Sequence, residues 1–204
     1  ALQSVSAPLL ETIHRHSSNR ALDVSENAAL TSINMPKLHS VLDGSGVLYL
    51  SDLPLLTTLT VGTTASGNPF TTASAVYVLD CPALTSLGSS FNGATIDGAL
   101  YLNGNTLLND MSMTAVSFGH LWLQANPALV TLSGFVIPDA SIVSLTLKNN
   151  DLLNDISALD NKLDPTATAS RVINIETLPA LTTLSDALAN VVEAGVLHGQ
   201  NMDP

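Results

Sequence analysis

The chain has 204 residues, 46% of them hydrophobic, 4% aromatic and 11% charged, enough for one domain with a substantial core. Seventeen Asp and Glu against six Lys and Arg give a formal net charge of −11, which excludes proteins that grip phosphate backbones or anionic membranes with clustered basic side chains. The lone cysteine, Cys81, excludes a disulfide-stapled scaffold, and no apolar run approaches the roughly 18 residues of a membrane span.

In chain order, one string keeps returning. Its clearest copy is Leu121-Trp-Leu-Gln-Ala-Asn-Pro-Ala-Leu129-Val-Thr-Leu132, or Leu-x-Leu-x-x-Asn-Pro-x-Leu-x-x-Leu. Copies begin at Leu22, Leu48, Val76, Leu100, Leu121, Leu145 and Ile173, and a truncated one at Val196. Spacings run from 21 to 28 residues, with a mean near 25. Such a period defines a solenoid, and the two-residue alternation within Leu-x-Leu makes each copy a strand rather than a helix. The sequence therefore predicts an all-β protein, a parallel β-helix of about eight turns in one domain over 1–204. Each turn turns about four apolar side chains inward, worth on the order of 1.5–3 kcal/mol apiece once neighbouring turns cover them.

Gly46, Gly98 and Gly119 stand two places before a first leucine, where a tight bend enters the strand. Longer spacings come from insertions at Val61–Ser74 and Ser157–Arg171. A third, Ser185–Gly195, predicts a short helix with Ser185 as its N-cap. Both ends fall inside the repeat, so the expectation is a longer parent chain or neighbouring chains that cover the end turns.

The run from Ile33-Asn-Met-Pro36-Lys-Leu38 through Gly46-Val-Leu48-Tyr-Leu50 to Leu59, with Val5–Ile13 in the same phase as Ile33–Val41, resembles receptor L-domain repeats. Such repeats occur in insulin- and EGF-receptor ectodomains and in fungal GPI-anchored cell-wall proteins. The resemblance implies a right-handed β-helix related to leucine-rich repeats, on a secreted or cell-surface protein. Two features depart: the receptor domains are bounded by disulfides and this chain has none, and ordinary leucine-rich repeats place a leucine two after the Asn, whereas the consistent leucine here is three after.

Equivalent positions stack about 4.8 Å apart, so each column is a surface property. Five places after the first leucine stand Asn27, Leu53, Cys81, Asn105, Asn126, Asn150, Leu178 and Asn201, read as an inward structural ladder that satisfies buried backbone groups. The residue between the strand leucines points outward: Asp23, Tyr49, Tyr77, Tyr101, Trp122, Thr146, Asn174 and Leu197. Tyr49, Tyr77, Tyr101 and Trp122 hold every tyrosine and the tryptophan of the chain, forming a stripe roughly 14 Å long. It is read either as aromatic pairing that stabilises the sheet or as a contact for a protein or a glycan. Glu26, Asp52 and Asp80 form an acidic column, read as solvated with a bridging cation as the alternative. The Thr and Ser pairs of the Leu-x-x-Leu segments suggest an ice-binding array, but Asn109-Asp110 and Asn154-Asp155 interrupt it.

Histidines 14, 16, 39, 120 and 198 fall in unrelated phases without metal-ligand spacing, and neither a phosphate loop nor a nucleophile elbow occurs. No Asn-x-Ser/Thr acceptor is present. The expected function is therefore non-enzymatic, without cofactor or metal: a rigid cell-surface or secreted building block that assembles with other chains. The alternative is a recognition module that binds a protein or glycan through the aromatic stripe.

Overall fold

In the computed structural model, the described residues are 1–14, 21–42, 46–62, 70–72, 74–114, 116–138, 141–164, 166, 172–184 and 196–200. The chain winds past three sides in every turn. The first turn is β1 (Ser4–Ser6), β2 (Thr12–His14) and β3 (Leu22–Ser25), and the second is β4 (Ser32–Met35), β5 (Ser40–Leu42) and β6 (Val47–Ser51). The third is β7 (Thr58–Val61), β8 (Thr71–Thr72) and β9 (Ala75–Leu79). Then β10 (Thr95–Asn103) and β11 (Ser117–Gln124) each cover the second and third sides in one strand, and β12 (Ser144–Lys148), β13 (Val172–Glu176) and β14 (Val196–Gln200) continue the third.

All pairings are parallel. Strands β1, β4 and β7 form the first side, which single bridges continue at Ser86–Asp110 and Thr131–Asp155. The third side is the principal ladder, joining Leu22, Leu48, Val76, Leu100, Leu121, Leu145, Ile173 and Leu197 in one register. The fold is thus the expected all-β parallel solenoid, with about six turns among the described residues rather than eight. The sequence copies number the rungs, and the stretch between the rungs at Ile173 and Leu197 lies mostly outside the described residues. So does the helix expected at 185–195; a single 3-10 turn at Ser157–Leu159 is the helical element among the described residues.

One phase shifts. Val196 pairs with Val172 and Leu197 with Ile173, so the last copy begins at Leu197, and His198 takes the rung position assigned to Leu197. Val196 and Leu197 are both apolar, and a one-residue slip exchanges the two faces of a strand. Asn201 thereby leaves the ladder position expected for it, and it lies outside the described residues.

The corner leaving the principal ladder occurs seven times along the described residues. Its first residue has a positive φ at Glu26, Asp52, Asp80, Gly104, Ala125, Asn149 and Thr177, between 51° and 72°. A β-turn follows, closed by N–H to O bonds of 3.0–3.1 Å from Leu30, Leu56, Leu84, Leu108, Leu129, Leu153 and Leu181 to the residue three before each. Pro54, Pro82, Pro127 and Pro179 occupy its second position, where their fixed φ suits the turn. The Asn-Pro-x-Leu string is therefore turn chemistry.

Leucines from the strand and from the turn meet inside, and one continuous apolar core runs from Val24 to Leu181. Phenylalanines fill the interior away from the principal ladder in two pairs, Phe70 with Phe91 and Phe118 with Phe135, each 5.6 Å between centroids.

Candidate functional site

The outer face of the principal ladder carries the aromatic column as expected. Tyr49, Tyr77, Tyr101 and Trp122 are cross-strand partners on consecutive rungs. Tyr77 and Tyr101 stack at 4.4 Å with planes 3° apart, and Tyr49 and Trp122 extend the row at 5.5 and 5.7 Å with tilted rings. The three tyrosines are half-buried and Trp122 is 38% exposed. Its indole N–H donates to Gln124 Oε1 at 3.0 Å, which fixes the ring on the surface. Beside it a depression of about 180 Å³ is lined by Tyr101, His120, Trp122, Ser144, Thr146 and Val172. Ring pairing contributes to the sheet, and the tryptophan stays the most exposed ring of the row.

The asparagine ladder is internal. The side-chain oxygens of Asn105, Asn126 and Asn150 accept the backbone N–H of Cys81, Asn105 and Asn126 at 3.1, 3.2 and 3.0 Å. Their amides donate to the carbonyls of Val78, Leu102 and Leu123 at 2.9, 3.0 and 2.9 Å. All three are fully buried, so each amide ties its own turn to the one before it. Asn27, at the half-buried end of the column, bonds only locally, to Ser25 O at 2.7 Å.

Cys81 occupies the same column and is fully buried. Burial pushes its thiol up to about 12, and the neighbouring Asp80 and Asp52 charges add to the rise. Native protein should therefore resist alkylation by iodoacetamide at pH 8 and react only after unfolding, because the thiolate is the nucleophile. The folded value exceeds the unfolded one near 9.0. The associated stability is complete below about pH 9 and is lost as pH rises toward 12.

The acidic column lies on the positive-φ corner. Glu26, Asp52 and Asp80 line a groove of about 460 Å³ with Ala28, Pro54, Pro82 and Gly104. The turn geometry accounts for the Asp, Asn and Gly members, which tolerate the left-handed region best. That geometry escaped the sequence reading, although the recurrence of Asp, Asp, Gly and Asn is its signature.

The Asn-Asp pairs that interrupt the threonine array tie neighbouring turns. Ser86 Oγ donates to Asp110 and Thr131 Oγ1 to Asp155, both at 3.0 Å. Asp110 is held below the usual carboxylate range chiefly by the Ser112 hydroxyl, helped by the Ser112 N–H and Ser86 against the effect of burial. Asp155 is lowered chiefly by the Ser157 N–H, then by the Ser157 and Thr131 hydroxyls. Lowered folded values contribute stability above the ordinary carboxyl value of 3.8 that is lost as pH falls through the folded value. The Asp110→Asn/Asp155→Asn variant should show a shallower loss of stability below about pH 4 in acid titrations followed by circular dichroism.

Among the described residues, no three His, Cys, Asp or Glu side chains gather as metal ligands. His14, His39 and His120 stand on different strands or turns, and His16 is outside the described residues. No helix there is long and apolar enough to cross a membrane. The class defined by these features is a parallel β-solenoid with an internal asparagine ladder and an external aromatic row. Comparison with protein-family models, curated proteins and solved structures gives no match.

Proposed function

We propose that this chain is a non-enzymatic structural unit of a secreted or cell-surface protein, a rigid β-solenoid that associates with neighbouring chains. The observation that carries this reading is the uninterrupted principal ladder. Its interior is filled by stacked apolar side chains and the Asn105–Asn126–Asn150 ladder, and its outer face offers a row of rings. Such a body transmits position and force, and its flat face suits extended contacts. The likeness of the repeat to receptor L-domains supports the secreted or cell-surface setting.

A second reading, a module that binds a protein side chain or sugar ring, is favoured by the depression beside Trp122. Its volume of about 180 Å³ suits a single ring. Electron microscopy and sedimentation of the native protein, wild type and with Tyr49, Tyr77, Tyr101 and Trp122 changed to serine, separate the readings. Assembly of the wild type supports the structural unit. A strictly monomeric wild type that binds an arrayed glycan or peptide, with binding lost in the serine variant, supports recognition instead.

A further inference from the structure

The turn corner holds a pattern that the aromatic face does not use. The third residue of its β-turn protrudes, and along the solenoid it alternates between leucine and alanine. Leu55, Leu107 and Leu152 are 52%, 52% and 53% exposed, while Ala29, Ala83, Ala128 and Ala180 are half-buried in the turns between and beside them. Because the same β-turn recurs seven times in succession, the leucines form knobs about 9.6 Å apart with hollows between.

We propose that this corner is a self-association surface on which a second copy of the chain docks antiparallel. The order Ala-Leu-Ala-Leu-Ala-Leu-Ala reads the same in both directions. A two-fold axis in the contact plane, perpendicular to the solenoid, reverses the turns of the facing copy. An offset of one turn then seats every paired leucine on an alanine: Leu107 on Ala83, Leu55 on Ala128 and Leu152 on Ala29, or the equivalent set with Leu107 on Ala128. A parallel two-fold would press each leucine against its own counterpart.

Charge selects the same orientation. In the adjoining positive-φ column the acids Glu26, Asp52 and Asp80 all belong to the first three turns, followed by Gly104, Ala125, Asn149 and Thr177. Antiparallel docking sets each acid against an uncharged rung of the other copy, which matters for a chain of net charge −11. In the two central positions of the turn, Asp151 is the one charged residue, and it meets Ala28 or Pro82. Six turns about 4.8 Å apart bury roughly 400–500 Å² of each copy, so the contact is weak and concentration-dependent and gains strength where many copies are held together. Isologous contacts of this kind require such self-complementarity.

This gives the assembling role proposed above a particular surface and partner, and rests on that role. Sedimentation equilibrium of the 204-residue chain between about 10 µM and 1 mM should show a reversible dimer. Leu55→Ser/Leu107→Ser/Leu152→Ser should weaken it at least about tenfold with little change in unfolding midpoint, the side chains being half exposed. Ala83→Leu/Ala128→Leu should weaken it as well by filling the hollows, although it adds apolar surface. A mixture of Leu107→Cys chains with Ala83→Cys or Ala128→Cys chains should give oxidised heterodimers, and neither partner alone should cross-link; Cys81 is buried and does not compete. A wild type that stays monomeric throughout this range, tighter dimers in the alanine-to-leucine variant, or cross-linking of Leu107→Cys with itself overturns the proposal. A dimer lost in the aromatic serine variants but kept in the leucine-to-serine variant also overturns it, while leaving the assembling unit standing.

Discussion

Replacing Asn126 with alanine should lower the free energy of unfolding by about 3 kcal/mol, because buried polar groups left without partners cost roughly 1–3 kcal/mol each. Asn126 accepts the Asn105 N–H and donates to the Leu102 and Gln124 carbonyls, so its loss strands groups in two turns at once. Leucine is accommodated in this column at positions 53 and 178, both fully buried. Asn126→Leu therefore fills the volume but still orphans the Asn105 N–H, and its difference from Asn126→Ala isolates the cavity contribution. Asn27→Ala, at the half-buried end, should cost less than about 1 kcal/mol. Urea unfolding ranks the three variants. Hydrogen exchange adds a local check, since the Asn105 amide should lose protection in both Asn126 variants. Equal destabilisation by Asn27→Ala and Asn126→Ala would show that the ladder carries no special weight.

Gly98→Ala should be comparably harmful for a different reason. A Cβ at Gly98 would lie 1.9 Å from the Ser74 carbonyl oxygen, a backbone atom that cannot swing away. The Ala99 N–H bonds that same carbonyl at 3.0 Å, and the β10–β11 register shifts between Ile96 and Ala99, so strand entry depends on this close approach. Separating the two turns to admit a methyl breaks ladder bonds, and overpacking of this kind costs about 1–3 kcal/mol or more. Gly119 stands in the same column with its nearest contacts at 3.2 and 3.3 Å, so Gly119→Ala should be clearly milder. Thermal unfolding of both variants tests the order, and a Gly119 variant as damaged as the Gly98 variant would remove the steric account.

The parts of the fold legible in the sequence were those written as columns. The Leu-x-Leu period placed eight strands in one ladder, the aromatic column emerged in register, and the buried asparagines were recognisable because Asn recurs in one column, at 105, 126 and 150. Three features were harder to read. The positive φ at Glu26, Ala125 and Thr177 is set by the β-turn that follows, and those residue types do not announce it. The last rung was misplaced by one residue because Val196 and Leu197 fit either face. The ridge of Leu55, Leu107 and Leu152 hid beside the buried Leu56, Leu108 and Leu153. Two adjacent leucines look alike on paper, and only the turn decides which one faces water.

The parallel register also decides how this molecule bears load. Hydrogen bonds between turns lie along the long axis, so tension applied to the ends of the rod acts on the turns in series, and the weakest junction yields first. Tension across the rod instead stretches covalent backbone and leaves those bonds largely unloaded. The asparagine ladder reinforces junctions from Val78 to Asn150, whereas Leu53 and Leu178 interrupt the column on either side. The rod is thus stiffest at its middle, and under axial pull it should part near its flanks, keeping the aromatic rungs at Tyr101 and Trp122 together longest.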